Sequence, residues 1–172
     1  MMSVLASVAL MLSAAQAGAP ATGHEAHSCP ETPVAPPADL AGWVRPVPLV
    51  AGRDAAHAPT LAPGQAVTAT LSPVATVTTA AASARTAKPA EQGGLFAVSV
   101  SAAGRYRIAA GSAAWIDVAA DGRPLTSVAH SHGPACSGIR KMVDFDLSPG
   151  RYLIQVTGDA ATLPLMIVRL PG

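Results

Sequence analysis

Four of the five histidines and both cysteines of this 172-residue chain fall in two short stretches, HEAHSC at 24–29 and AHSHGPAC at 129–136. Their spacings, His-x2-His-x-Cys and His-x-His-x3-Cys, suit chelation. Neutral imidazole nitrogens and thiolate sulfurs are the donors that hold zinc and copper. In an extended segment, side chains two residues apart share a face, so His130 and His132 are placed to grip one ion together. His24 and His27 are the candidates to complete the set. The competing reading gives these imidazoles no ligand role, as solvated side chains of polar loops. His57 lies in a proline-rich stretch and reads as a surface residue.

Two cysteines allow one intramolecular bridge, Cys29–Cys136. Exported proteins mature where paired thiols become disulfides. Closing a loop of about a hundred residues is worth roughly 4–5 kcal/mol in the chain-entropy model. The alternative is a pair of thiolate metal ligands. Staple and metal site are compatible, because a bridge holds its two Cα atoms about 5.5–6 Å apart. His27 is two residues from one end of that bridge and His132 four from the other.

The chain opens MMSVLASVALMLSAAQA, with an apolar run from Val4 to Leu12 and an A-x-A site at Ala15-Gln16-Ala17. This pattern predicts a signal peptide over residues 1–17, cleaved after Ala17, and a periplasmic or secreted mature protein. No Lys or Arg precedes the apolar run, a departure from the usual pattern. The run is too short to span a bilayer, and no later segment is apolar enough to do so. A net charge of +1 gives no field that would draw nucleic acid or an anionic membrane.

Catalytic readings find less support. His-x-His with a third ligand four residues on resembles the cupin metal motif, and a cupin-like metal-dependent dioxygenase is one alternative function. However, Cys136 stands where that motif has Glu, and no histidine follows His132, so the ligand set would have to be rebuilt. Ser131 and Ser137 lie near histidines, and Asp117, Asp144 and Asp146 are available, yet there is no nucleophile elbow. A Gly-rich phosphate loop is missing too. Arg140 and Lys141 read either as an anion site or as a solvated strand edge.

These residues must be positioned by strands. Residues 18–63 are rich in Pro and Ala and predict an extended arm along the domain surface, anchored by Trp43, because such proline density stops helices and interior strands. The domain proper is predicted over 64–172. QAVTATLS (65–72) alternates, and 74–94 starts like a strand before becoming a low-complexity, flexible connector. LFAVSVS puts Phe96, Val98 and Val100 on one face. Tyr106 and Ile108 are in phase in the next strand. AWIDVAA leads to an Asp121-Gly122 hairpin turn. IRKMVDFDL sets Ile139, Lys141, Val143, Phe145 and Leu147 on one face, and RYLIQVTG alternates through Tyr152, Ile154 and Val156. LPLMIVRL closes the chain. Short strands at roughly ten-residue spacing, with no helix after the leader, predict an all-β fold: an antiparallel β-sandwich of jelly-roll type.

At WIDV (115–118), HSHGPACSGIRK (130–141) and LSPGRY (147–152), the sequence resembles a family of small exported bacterial proteins of unestablished biochemical function. The resemblance covers roughly the last eighty residues, and the Cys29 region more loosely. Some similar sequences carry a homogentisate dioxygenase label. That enzyme class is a much larger cupin whose iron ligands have no counterpart here. G-x-Y, WIDV and L-x-P-G-x-Y also resemble the pre-peptidase C-terminal class of β-sandwich, which implies an accessory, non-catalytic module. The leading expectation is therefore an exported, disulfide-stapled, non-catalytic sandwich that binds copper or zinc through its histidine clusters. An accessory binding domain without a metal role is the second.

Overall fold

A strand with water on one side and a core on the other must alternate apolar and polar side chains, and most of the expected strands do so. The computed structural model describes Cys29 and residues 34–172. The leader, His24 and His27 lie outside these residues. Eleven strands are present among them: β1 (Val47–Val50), β2 (Ala66–Thr70), β3 (Ser72–Pro73), β4 (Gln92–Val100), β5 (Gly104–Ala110), β6 (Trp115–Ala120), β7 (Arg123–Pro124), β8 (Ala129–Ser131), β9 (Lys141–Leu147), β10 (Gly150–Gly158) and β11 (Thr162–Arg169). One sheet has the order β1-β2-β11-β5-β9-β8, the other β3-β4-β10-β6-β7. Along β4, β5 and β6, and again along β9, β10 and β11, each strand crosses to the opposite sheet. The inner order β2-β11-β5-β9 facing β4-β10-β6-β7 is that of a jelly roll, as expected.

The two sheets enclose one main core. Phe96, Val98, Ile108, Phe145, Ile154 and Leu165 meet there, and all of them are buried. The phases read from the sequence hold for β4, β5, β9 and β10. Ile139 is the exception. It precedes β9 and follows Gly138, whose φ of +75° turns the chain, so it packs with Met142 on the opposite side of the sheet.

That opposite side carries a second, smaller core. Ala66, Ala109, Met142, Met166 and Val168 form an apolar outer face on the first sheet. A 3-10 helix, Ala38–Val44, lays Leu40 and Trp43 on this face, and Ile139 covers the rest. Asp39 of the helix approaches Arg107 to 3.5 Å, and Arg107 in turn makes two 2.8 Å hydrogen bonds to buried Asp144. These bonds hold the Arg107 guanidinium above its ordinary pKa, although burial works against them.

From residue 38 onward, the proline-rich stretch is integrated into the sandwich. Val47–Val50 runs parallel to β2, and Gly52 and Thr60 each bridge to β4. Leu61 is buried in the main core. Pro48 is tolerated because β1 is an edge strand, where a missing N–H interrupts no interior ladder.

The connector after β3 lies against the outer face of the second sheet. Gln155 accepts the N–H groups of Ala80 and Ala81 at 3.0 and 3.3 Å and donates to the Ala81 carbonyl at 3.1 Å. Arg85 makes two hydrogen bonds to buried Glu91, at 3.0 and 2.8 Å, and a third to Thr157 at 3.1 Å. A low-complexity sequence is fixed here by a few polar side chains rather than by apolar burial.

Candidate functional site

His130 lies on β8, opposite Val143 of β9, and His132 follows just past the end of the strand. Both are exposed at the edge of the first sheet. Their two-residue spacing brings them to one surface groove of about 230 Å³, shared with Ala113, Ser131, Arg140 and Lys141. His132 and Arg140 also line a neighbouring groove of about 330 Å³, whose wall includes Cys29 and Cys136. On the other side, His130 and Lys141 extend into a groove of about 220 Å³ with Trp115, Ile116, Ser127 and Val143. The three grooves share lining residues along the β8–β9 edge from the disulfide to Trp115, beyond which a groove of about 530 Å³ continues past Ile116 and Asp117.

The loop between β8 and β9 owes its shape to two left-handed residues, Cys136 at φ +61° and Gly138 at φ +75°. Ser137 between them is buried. Its hydroxyl donates to the Pro134 carbonyl at 2.7 Å and accepts the Ile139 N–H at 3.3 Å. The expected Cys29–Cys136 bridge is formed, with the Cα atoms 5.4 Å apart, and neither cysteine is free. The Val34 N–H donates to the Cys136 carbonyl at 3.1 Å. Bridge and hydrogen bond together tie the chain just before the 3-10 helix to the loop that carries Ile139, so one link holds both parts of the outer cover.

With both sulfurs in the bridge, neither serves as a thiolate ligand. Among the described residues, no three His, Cys, Asp or Glu side chains gather as a metal-holding group. His130 and His132 are brought together, and His24 and His27 lie outside the described residues. His57 is exposed, its ring 2.8 Å from Asp54, whose carboxyl this hydrogen bond holds below its ordinary value.

Ser137 and the three aspartates weighed for nucleophilic chemistry have other partners, while Ser131 lines the groove. Ser137 closes its turn. Asp144 binds Arg107, and Asp146 binds Arg105 at 3.0 and 3.3 Å. Asp117 accepts the Trp115 indole N–H at 2.9 Å and the Gln155 amide at 3.2 Å. None of these hydrogen bonds involves a histidine.

The last set was not singled out from the sequence, although its signal is present in WIDV: residues i and i+2 of a strand share a face, so Asp117 can fix the Trp115 ring. The Lys141 ammonium lies 5.1 Å from the centre of that ring and donates to the Ala114 carbonyl at 3.0 Å. Burial holds the Lys141 amine below its ordinary pKa. The charge of Arg85 adds to this effect, and that of Asp117 opposes it. Arg140 is exposed, held by a backbone hydrogen bond to Ala110 at 2.8 Å. The groove thus combines two imidazoles, a guanidinium, an ammonium and one oriented indole.

No family model, curated protein or solved structure matches this chain.

Proposed function

We propose that this protein is an exported, non-catalytic binding domain, secreted or periplasmic, whose jelly roll presents the β8–β9 edge groove as its ligand site. The observation that carries the reading is the Cys29–Cys136 bridge, which forms one end of that groove. A disulfide closing so long a loop persists in an oxidising compartment and not in a reducing one. The leader-like sequence over 1–17 points the same way. Among the described residues, no helix is long and apolar enough to cross a membrane. The non-catalytic part of the reading is supported by Ser137, Asp117, Asp144 and Asp146, whose side chains are hydrogen-bonded to groups other than histidine.

A second reading takes copper or zinc as the ligand. It is favoured by the shared groove of His130 and His132 and by the bridge, which fixes Cys29 two residues after His27. His24 or His27 would complete the coordination.

One preparation tests both readings: untagged protein from the extracytoplasmic fraction, purified without added metal. The expected intact mass is that of a chain beginning at Gly18, with no titratable thiol. A retained leader or two free thiols would overturn the exported, stapled reading. Elemental analysis of the same sample tests the metal. About one copper or zinc per chain, lost in the His130→Ala/His132→Ala variant, supports chelation, and a metal-free folded protein contradicts it.

A further inference from the structure

We infer that the β8–β9 groove takes a small organic anion, a carboxylate carried on an apolar or aromatic body. The inference rests on reading the domain as a binding module and names the class of its ligand.

The charge of the lining argues for an anion. Arg140 and Lys141 both face the groove that holds His130 and His132; among the described residues no carboxylate lines this groove or the two that adjoin it, and Asp117 enters only in the next groove beyond Trp115. A guanidinium and an ammonium side by side repel a divalent cation and attract a carboxylate. Arg85, Arg105 and Arg107 each have a carboxylate partner in the described structure, whereas Arg140, like Arg123 and Arg151, has none there. Arg140 offers a planar set of N–H donors that matches a carboxylate edge, and the imidazoles add donors on the strand beside it.

The shape of the lining argues for an apolar body on that anion. Beyond Lys141, the groove continues between Ile116, Val143 and Trp115. The indole is held by Asp117, and Asp117 by Gln155, so this wall is fixed before a ligand arrives. Inorganic anions would use the cationic end and leave the apolar end wet. A benzoate-sized carboxylate would use both.

The test is an NMR titration of the intact, oxidised protein with sodium benzoate at constant ionic strength, with sodium sulfate and zinc chloride as separate arms. Benzoate is expected to shift the Trp115 indole N–H and the backbone amides of residues 130–132 and 139–141. Arg140→Gln, at an exposed position, is expected to weaken binding by about tenfold or more, the worth of a charge-assisted hydrogen bond. Lys141→Met, which keeps a long apolar stem beside the indole, should do the same. No shift with benzoate, equal affinity in the variants, or sulfate binding as tightly as benzoate would each overturn the organic-anion assignment. Zinc separates the two levels of the argument. If zinc shifts the groove resonances while benzoate does not, the binding-module reading stands with a metal ligand. If neither does, both readings fall.

Discussion

Single side chains decide the turns that feed the inner strands. β5 and β10 begin with the same Gly-Arg-Tyr-x-Ile pattern, at Gly104 and at Gly150. In each, the tyrosine hydroxyl reaches back four residues to a carbonyl at 2.9 Å, from Tyr106 to Ala102 and from Tyr152 to Ser148. Tyr152 also accepts the Ser148 N–H at 3.2 Å. Removing the hydroxyl in Tyr152→Phe therefore leaves two backbone groups without their partner, a loss of about 1–2 kcal/mol. Tyr106→Phe removes one bond and should cost less. Urea midpoints of the two variants check the order, and an equal effect would contradict it. Both tyrosines were legible in the sequence as in-phase core residues, but their hydroxyl bonds were not, because periodicity says nothing about where a polar tip ends. Lys141 shows the same limit. Its phase with Val143 was readable, whereas its place over the Trp115 ring depends on β6 and β9 meeting at the sandwich edge.

Among the elements, the sandwich strands were legible because each turns alternate residues to the dry main core, even where the outer face of the first sheet is also covered. The segments packed against the outside of the sheets were not. The 3-10 helix Ala38–Val44 buries only Leu40 and Trp43, too few positions to set a period. β1 contains Pro48, which reads as a strand breaker until its edge position is known. The stretch 74–94 read as a strand start followed by a flexible connector, whereas Val74–Thr76 is a 3-10 turn and Gln92 already begins β4. The anchors between are polar: Gln155 comes from another strand, and Arg85 and Glu91 are six residues apart. The Arg85 guanidinium is the main cause holding Glu91 below its ordinary pKa of 4.5, helped by the Lys88 N–H and opposed by burial. A depressed carboxyl stabilises the fold above its unfolded pKa, and that stabilisation is lost as pH falls through the lower folded value. Glu91→Gln should therefore be less stable than the parent at neutral pH. The gap should close as the pH is taken progressively below 4.5. Urea midpoints of parent and variant across pH 7 to 3 measure it, and a gap that stayed constant with pH would contradict the role given to the ion pair.

At the scale of the whole molecule, two cores share one sheet, and a covalent link secures the outer of them. The main core lies between the two sheets, and neither Cys29 nor Cys136 belongs to it. The outer core is covered by one short helix and one loop, which the Cys29–Cys136 bond joins across a sequence separation of 107 residues. Elimination alone named the pairing, since the chain has two cysteines. Its consequence, that the bridge braces the cover and one end of the histidine groove together, needed the positions of Trp43 and Ile139. The imidazole pair was legible as a candidate from its spacing, but the basic residues beside it were read only as one of two options. If the bridge supports the groove as described, hydrogen exchange of the oxidised and gently reduced protein under native conditions tests the central claim most directly. The account predicts faster exchange on reduction confined to residues 38–44 and 129–141, with β4 and β10 unchanged. Uniform acceleration across both sheets, or no change around the groove, would contradict it.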